Sequence, residues 1–266
     1  MAKKIRIPKK ALKKPDEFIT TSVRVINYIS ANSTRVASYI GVLLLTAFIV
    51  IGWRVHNRNL EKKAFLQLNQ SIGTFHLGER AEEGPENASE EENPGEEYDK
   101  SQEYYDNAIN GLGRVISEFS DTVAATYAHL YLGHCFFKMD EFNKAAEAYE
   151  KFIEKCPEQG LKMLAYLKLG RCYEEMGNYE NALNYYLNLL KINDISKEFA
   201  YEGAARCYEN IGDKQKALET NQTALDEYPS SLSSLKFRKN IAILKEKIDS
   251  ENPQETDQGL NHNMPN

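Results

Sequence analysis

Between Asp121 and Pro229, apolar residues recur every three or four positions in short blocks parted by polar turns, the period of helices that each bury one face. Three blocks share a skeleton: "LGHCFFKMDEFNKAAEAYEKFIEKCP" from Leu132, "LGRCYEEMGNYENALNYYLNLL" from Leu169 and "AARCYENIGDKQKALETNQTALDEYP" from Ala204. Each holds two predicted helices around a turn, at Lys138–Glu141, Met176–Asn178 and Ile211–Asp213. There Gly or Asp stops one helix and Asn or Asp caps the next. Gly133, Gly170 and Ala205, facing Ala145, Ala182 and Ala217, are expected to let paired helices approach closely. The rings of Phe136, Tyr149, Tyr173, Tyr186 and Tyr208 then fill the space between pairs, and Pro157 and Pro229 end the second helices. A hairpin of this kind leaves an apolar face open, so the units must stack, and the spacing predicts an all-α solenoid.

The pattern continues outward in weaker form. "YYDNAINGLGRVISEFSD" matches the second helix of the later units, with Ala108 answering to their alanine, then Leu112 and Val115, and reads as half of a degenerate first unit that ends near Ser120. Its partner is "LEKKAFLQLNQSIGTFHLGERA"; the intervening residues 82–99 are acidic, broken by Gly and Pro, and read as an unstructured insert. At the other end, "SSLSSLKFRKNIAILKEKI" suits a capping helix with Leu232, Leu235, Ile241 and Leu244 on its stripe, and residues 250–266 read as a disordered tail.

Ahead of the repeats, Val36–Trp53 runs for 18 residues without a charge, flanked by Arg35 and Arg54, with Tyr39 and Trp53 near its ends. As a helix it spans roughly 27 Å, close to the hydrocarbon thickness of a bilayer. A buried core helix is the plainer alternative. A cleaved signal peptide fits less well, because no small-x-small site follows the apolar run. The expected organisation is a basic arm over residues 1–35, a transmembrane helix over 36–55 and the repeats over 56–249. Residues 1–35 carry nine Lys/Arg against Asp16 and Glu17, which is +7; with a net charge of −6 for the chain, the remainder stands at −13. Nine cations before the span against four soon after it predict an amino end in the cytoplasm and repeats outside it. Within the arm, Ile19, Val23 and Ile26 fall on one helical stripe, which fits either a helix lying on anionic lipid or a plain linker. The acidic body does not suit a nucleic-acid partner.

Little in the sequence points to chemistry. Cys135, Cys172 and Cys207 take equivalent places in successive units, where stacked helices stand too far apart for disulfides, so buried free thiols are expected. Cys156, beside Lys155 and Pro157 at a helix end, leaves a reactive or pairing role open. His129 and His134 are five apart, off the spacing of a metal-binding helix pair, and no phosphate loop or nucleophile elbow occurs. The expectation is a protein without cofactor, metal or catalytic activity.

The aromatic-x2-Leu-Gly-x2-Tyr…Ala-x3-aromatic…Pro skeleton resembles the tetratricopeptide repeat. The resemblance implies three to four helix hairpins with a capping helix, and a concave groove lined by the first helix of each pair. Carried across, the groove positions are Tyr127, Leu130, His134, Phe137 and Lys138, then Leu164, Leu167, Arg171, Glu174 and Glu175, then Phe199, Glu202, Arg206, Glu209 and Asn210. Such a surface would suit a peptide segment with apolar anchors and a polar rim, or its positions are solvated helix faces. The Lys/Asn constellation by which some members grip a terminal carboxylate is absent from "LGHCFFK" and "LGRCYEE". With its single anchor ahead of the repeats, the chain also resembles the ancillary subunit of the SecYEG translocon in bacterial inner membranes. That implies an adaptor contacting exported chains or periplasmic chaperones beside the channel. A scaffold of envelope assembly or cell division, acting through the groove or through homo-oligomers, is the alternative. A regulator working through its Lys-rich arm is a third.

Overall fold

The turns that the sequence marks are built alike. Asp140, Gly177 and Gly212 take φ of 58°, 72° and 94°, the left-handed conformation that ends a helix. The side chains of Asn178 and Asp213 then accept the backbone N–H of Asn181 (3.3 Å) and Lys216 (3.0 Å), and Thr122 accepts that of Ala125 (3.1 Å). The computed structural model describes residues 17–83, 94–191 and 197–251. Those residues form helices α1 (Glu17–Ala31), α2 (Ser33–Glu83), α3 (Pro94–Glu118), α4 (Val123–Lys138), α5 (Phe142–Lys155), α6 (Gln159–Glu175), α7 (Tyr179–Leu190), α8 (Lys197–Ile211), α9 (Lys214–Glu227) and α10 (Ser234–Glu251), with no strand among them. The chain is all-α. The expectations for most of the basic arm (1–16), the middle of the acidic insert (84–93) and the tail beyond Glu251 lie outside the described residues. Helix nonetheless takes the first two and last six residues of the 82–99 segment expected to be unstructured.

The chain divides into two compact units between Asn59 and Leu60. In the first, no apolar side chain of α1 or of the start of α2 is buried among the described residues; Leu43 is 66% and Phe48 77% exposed. By length and composition α2 is able to cross a membrane, and none of its apolar window is covered by protein.

The second unit is a solenoid of helix hairpins: the later part of α2 with α3, then α4 with α5, α6 with α7 and α8 with α9, closed by α10. Neighbours in sequence pack on one another, and the core is a row of clusters. One close contact recurs in each hairpin but the last. A Cβ on Gly78 would stand 2.6 Å from the Tyr105 ring, one on Gly133 2.6 Å from Tyr149 and one on Gly170 2.8 Å from Tyr186. Gly203 of the next unit also presses on Tyr186, at 2.5 Å. The glycines thus admit a tyrosine one turn beyond the alanines expected to face them. A mid-helix glycine costs about 0.5–1 kcal/mol, less than the roughly 2–3 kcal/mol that burying a large ring contributes. In the last unit the pair becomes Ala205 and Asn221, both buried, the smaller side chain offsetting the added methyl.

Two registers differ from expectation. In the first unit Ser101 and Tyr105 take the places of Ala145 and Tyr149, while Leu77–Gly78 matches Leu132–Gly133. Ala108, Leu112 and Val115 are buried, but they lie further along the helix than the equivalence with Ala145 supposed. In α10 the buried stripe is Ser234, Phe237, Ile241 and Leu244; Leu232 precedes the helix and is fully exposed, and Leu235 is 76% exposed, a third of a turn off the stripe.

Gly170→Ala is expected to destabilise the chain by about 1–3 kcal/mol, because the Tyr186 ring cannot retreat from both Gly170 and Gly203. Gly160→Ala, in open space early in α6, should instead be neutral or stabilising. Urea unfolding followed by helical circular dichroism measures both, and equal midpoints would refute the wedge.

Candidate partner groove

The first helices of the hairpins carry the expected groove residues, and the structure sorts them into three kinds. Leu130 is 6% exposed and packs in the core against Ala145, Tyr149 and Phe152, so it is not presented to a partner, contrary to expectation. Tyr127 and Leu167 are half-buried, and the Tyr127 hydroxyl donates to Glu158 Oε2 at 3.1 Å. Leu164 (40%) and Phe199 (59%) are the exposed apolar residues of the set. They hold equivalent places in α6 and α8.

The charged members neutralise one another. Arg206 donates from Nε and Nη2 to the two oxygens of Glu174 at 3.1 and 3.0 Å, a two-pronged pair between α8 and α6. Arg171 donates to Glu174 (3.2 Å) and Glu175 (2.9 Å) on its own helix. Glu202 takes Lys236 of α10, Glu209 lies 3.7 Å from Lys247, and the Asn210 amide donates to the Arg206 carbonyl. The expected polar rim is therefore also a lattice joining α6, α8 and α10.

Toward the ends of α2 and α4 the groove hollows into a cavity of about 270 Å³, the size of a side chain rather than of a cofactor. Phe75, Tyr131, His134, Phe137 and Tyr149 wall it, with Lys138 and Lys168 also on its lining. Lys138 pairs with Glu82 at 2.5 Å, and His76 with Glu79 at 2.8 Å. Phe137 stands edge-on to Phe142, ring centres 5.3 Å apart. Within the chain, neither the buried Tyr149 hydroxyl nor His134 Nε2 has a hydrogen-bond partner. An orphaned buried hydroxyl costs about 1–3 kcal/mol. Burial, with Lys168 and His76 nearby, pushes His134 down to about 4, so its ring is neutral. Of the lining, sequence reasoning found His134, Phe137 and Lys138. It missed Phe75, His76, Glu79, Tyr131, Tyr149 and Lys168; Leu77–Gly78 repeating Leu132–Gly133 would have placed Phe75 beside them. A larger hollow of about 530 Å³ between α2 and α3 is walled by Lys63, Gln67, Gln70 and Asn107 and includes no expected groove residue.

The four cysteines are free and buried, and burial pushes Cys135, Cys172 and Cys207 up to about 12, unreactive at neutral pH. His129, buried on α4 beside Lys155 and Lys151, is also held near 4.

A model of the tetratricopeptide repeat-like domain matches residues 28–252. The chain belongs to this family. The match takes in the apolar part of α2 as well as the repeats. Among solved structures, the putative kinesin light chain repeats of Podosopora anserina superpose at TM-scores of 0.51 and 0.50 in two crystal structures, the first of them a single-substitution variant. Each is 15% identical and covers 71% of this chain and 90% of that one. They show the solenoid fold. A MamA protein structure is 25% identical over 51% of this chain and 70% of its own, with a TM-score of 0.41. No curated protein matches the chain. Tetratricopeptide-like repeats are as a rule non-catalytic scaffolds that bind other proteins.

Glu174→Ala, which leaves Arg206 only its 3.9 Å contact with Glu202, is expected to lower stability by about 2 kcal/mol, against under about 0.5 kcal/mol for Lys236→Ala at the exposed edge. A double-mutant cycle with Arg206→Ala in urea reads the coupling, and additive losses would refute the lattice. The histidines set a pH dependence. Both rings stay neutral in the folded chain but protonate near 6.5 when unfolded. Stability should therefore be level above about pH 6.5 and fall as pH drops toward about 4. An unfolding midpoint unchanged between about pH 6.5 and about pH 5 would contradict neutral burial.

Proposed function

We propose that this chain is a single-pass membrane adaptor, with residues 36–55 crossing the inner membrane and residues 1–35 in the cytoplasm. Residues 56–249 form a periplasmic repeat domain that carries the 82–99 insert, and residues 250–266 are a tail. The repeats receive a protein segment along the groove and perform no catalysis. One observation carries this reading: a helix whose apolar stretch is left uncovered by protein sits in the same family-matched span as repeats that expose Leu164 and Phe199. A stretch of that length finds its cover in lipid. The resemblance to the ancillary translocon subunit supports a place beside the Sec channel, with exported chains or periplasmic chaperones as partners. The surplus of cations ahead of the span supports the orientation.

Photoreactive residues placed at Leu164 and Phe199 in native membranes should capture translocon subunits or exported chains. Capture of envelope-assembly or division proteins alone would replace the Sec reading with the scaffold. Protease added to spheroplasts should digest the repeats and spare the amino-terminal arm; the reverse would overturn the topology.

A further inference from the structure

Three tyrosines occupy equivalent places in the solenoid, each against the glycine of its paired helix: Tyr105, Tyr149 and Tyr186. Four residues beyond those glycines stand Glu82, Phe137 and Glu174. After burial, the Glu174 carboxylate is what pushes the Tyr186 phenol up, through its charge and a hydrogen bond. The charge of Glu82 acts on Tyr105 in the same direction, although the Tyr105 hydroxyl is itself buried without a hydrogen-bond partner. Of the three, only the middle unit puts a phenyl ring where its neighbours put a carboxylate. The surroundings kept the other features of a carboxylate site. The Tyr149 hydroxyl is buried without an acceptor, and His134 Nε2 is buried without a partner. Lys168 lies on the lining at the place where the next unit has Gly203 closing onto Tyr186. Arg171 holds the position from which its counterpart Arg206 reaches back to Glu174; with Phe137 opposite, it pairs within its own helix.

We propose that the cavity between α2, α4, α5 and α6 receives one carboxylate side chain of the partner segment, which completes the Tyr149 site from outside as Glu174 completes the Tyr186 site from within. This rests on the groove being the partner surface. The Tyr149 hydroxyl and the N–H tautomer of His134 donate to the carboxylate, Lys168 balances its charge, and the ring walls hold its methylene stem. A carboxylate shielded from water in this way binds favourably only if it is both hydrogen-bonded and paired with a cation, and the lining offers both. Glu79 on the same lining is already engaged by His76 and Glu82 by Lys138. The constellation differs from the Lys/Asn set that grips chain ends, and it selects a side chain.

The test uses the full-length chain in mild detergent and fluorescent, C-terminally amidated peptides. Each carries one Glu at a successive position in a Leu/Ser background and is matched by a Gln twin. At least one Glu peptide should bind about tenfold tighter than its twin. Tyr149→Phe, which keeps the ring, and Lys168→Ala should each cut that ratio below about threefold. Tyr149→Phe should leave the melting temperature unchanged or raised, since the hydroxyl it removes has no partner in the chain. Phe137→Glu should supply the carboxylate internally, abolish the preference and raise the melting temperature, with no such rise in the Tyr149→Phe background. Equal binding of Glu and Gln twins, no binding by any peptide, or a ratio that survives Tyr149→Phe would each overturn the proposal. So would a preference confined to peptides with a free C-terminal carboxyl. If the preference is missing while Phe199 still crosslinks to translocon subunits or exported chains, the cavity assignment falls and the adaptor reading stands.

Discussion

The solenoid depends on a ring pressed into the gap left by a missing methyl. Where Gly78, Gly133 and Gly170 stand, any Cβ would approach the facing tyrosine more closely than packed carbon atoms tolerate, so the glycine is what lets the two helices of a unit close. The phenol that enters brings a polar tip into the core, and the tip needs a partner. That secondary requirement links the packing of the repeats to the composition of the groove. In the Tyr186 unit the residue one turn past the glycine, Glu174, bears on the phenol and is also one of the expected groove positions. In that unit the core and the candidate groove are therefore chosen together.

The same coupling explains why the groove is less available than its residue types suggest. A row of arginines and carboxylates along exposed helix faces looks like a polar rim awaiting a partner. In place, Arg206 holds Glu174 with two hydrogen bonds and Glu202 is taken by Lys236, so a partner would have to compete with contacts that already fix one unit to the next. The apolar exposures at Leu164 and Phe199 and the walled cavity at Tyr149 carry no such prior claim.

Much of the architecture was legible in the sequence because it depends on local rules. Gly177, Gly212 and the Asn178 and Asp213 caps announce their turns, and the three-four spacing of small and aromatic residues announces the hairpins. The misreadings came where two registers were both plausible. In the first unit the 82–99 insert separates Gly78 from its tyrosine, and Ala108 offered a tempting alanine two turns away from the true equivalent, Ser101. At α10 the leucines at 232 and 235 are apolar but out of step, whereas Ser234 and Phe237 keep step with Ile241 and Leu244. Leu130 was assigned to the groove by its place in the repeat, yet in this unit it turns inward onto Phe152. The cavity could not be read from a single helix, because its walls come from α2, α4, α5 and α6 together.

The final joint lacks the ring. Asn221 lies buried where Tyr149 and Tyr186 stand in earlier units, and the Asn240 amide of α10 donates to its side-chain oxygen at 3.3 Å. Water can substitute for an amide contact in a way that it cannot for a wedged phenol. Opening should therefore travel inward from the carboxyl end, with amide protons of α10 and α9 exchanging before those of α4 and α5. The row is a zipper whose slider sits at one known end, opposite the end that continues into the apolar helix.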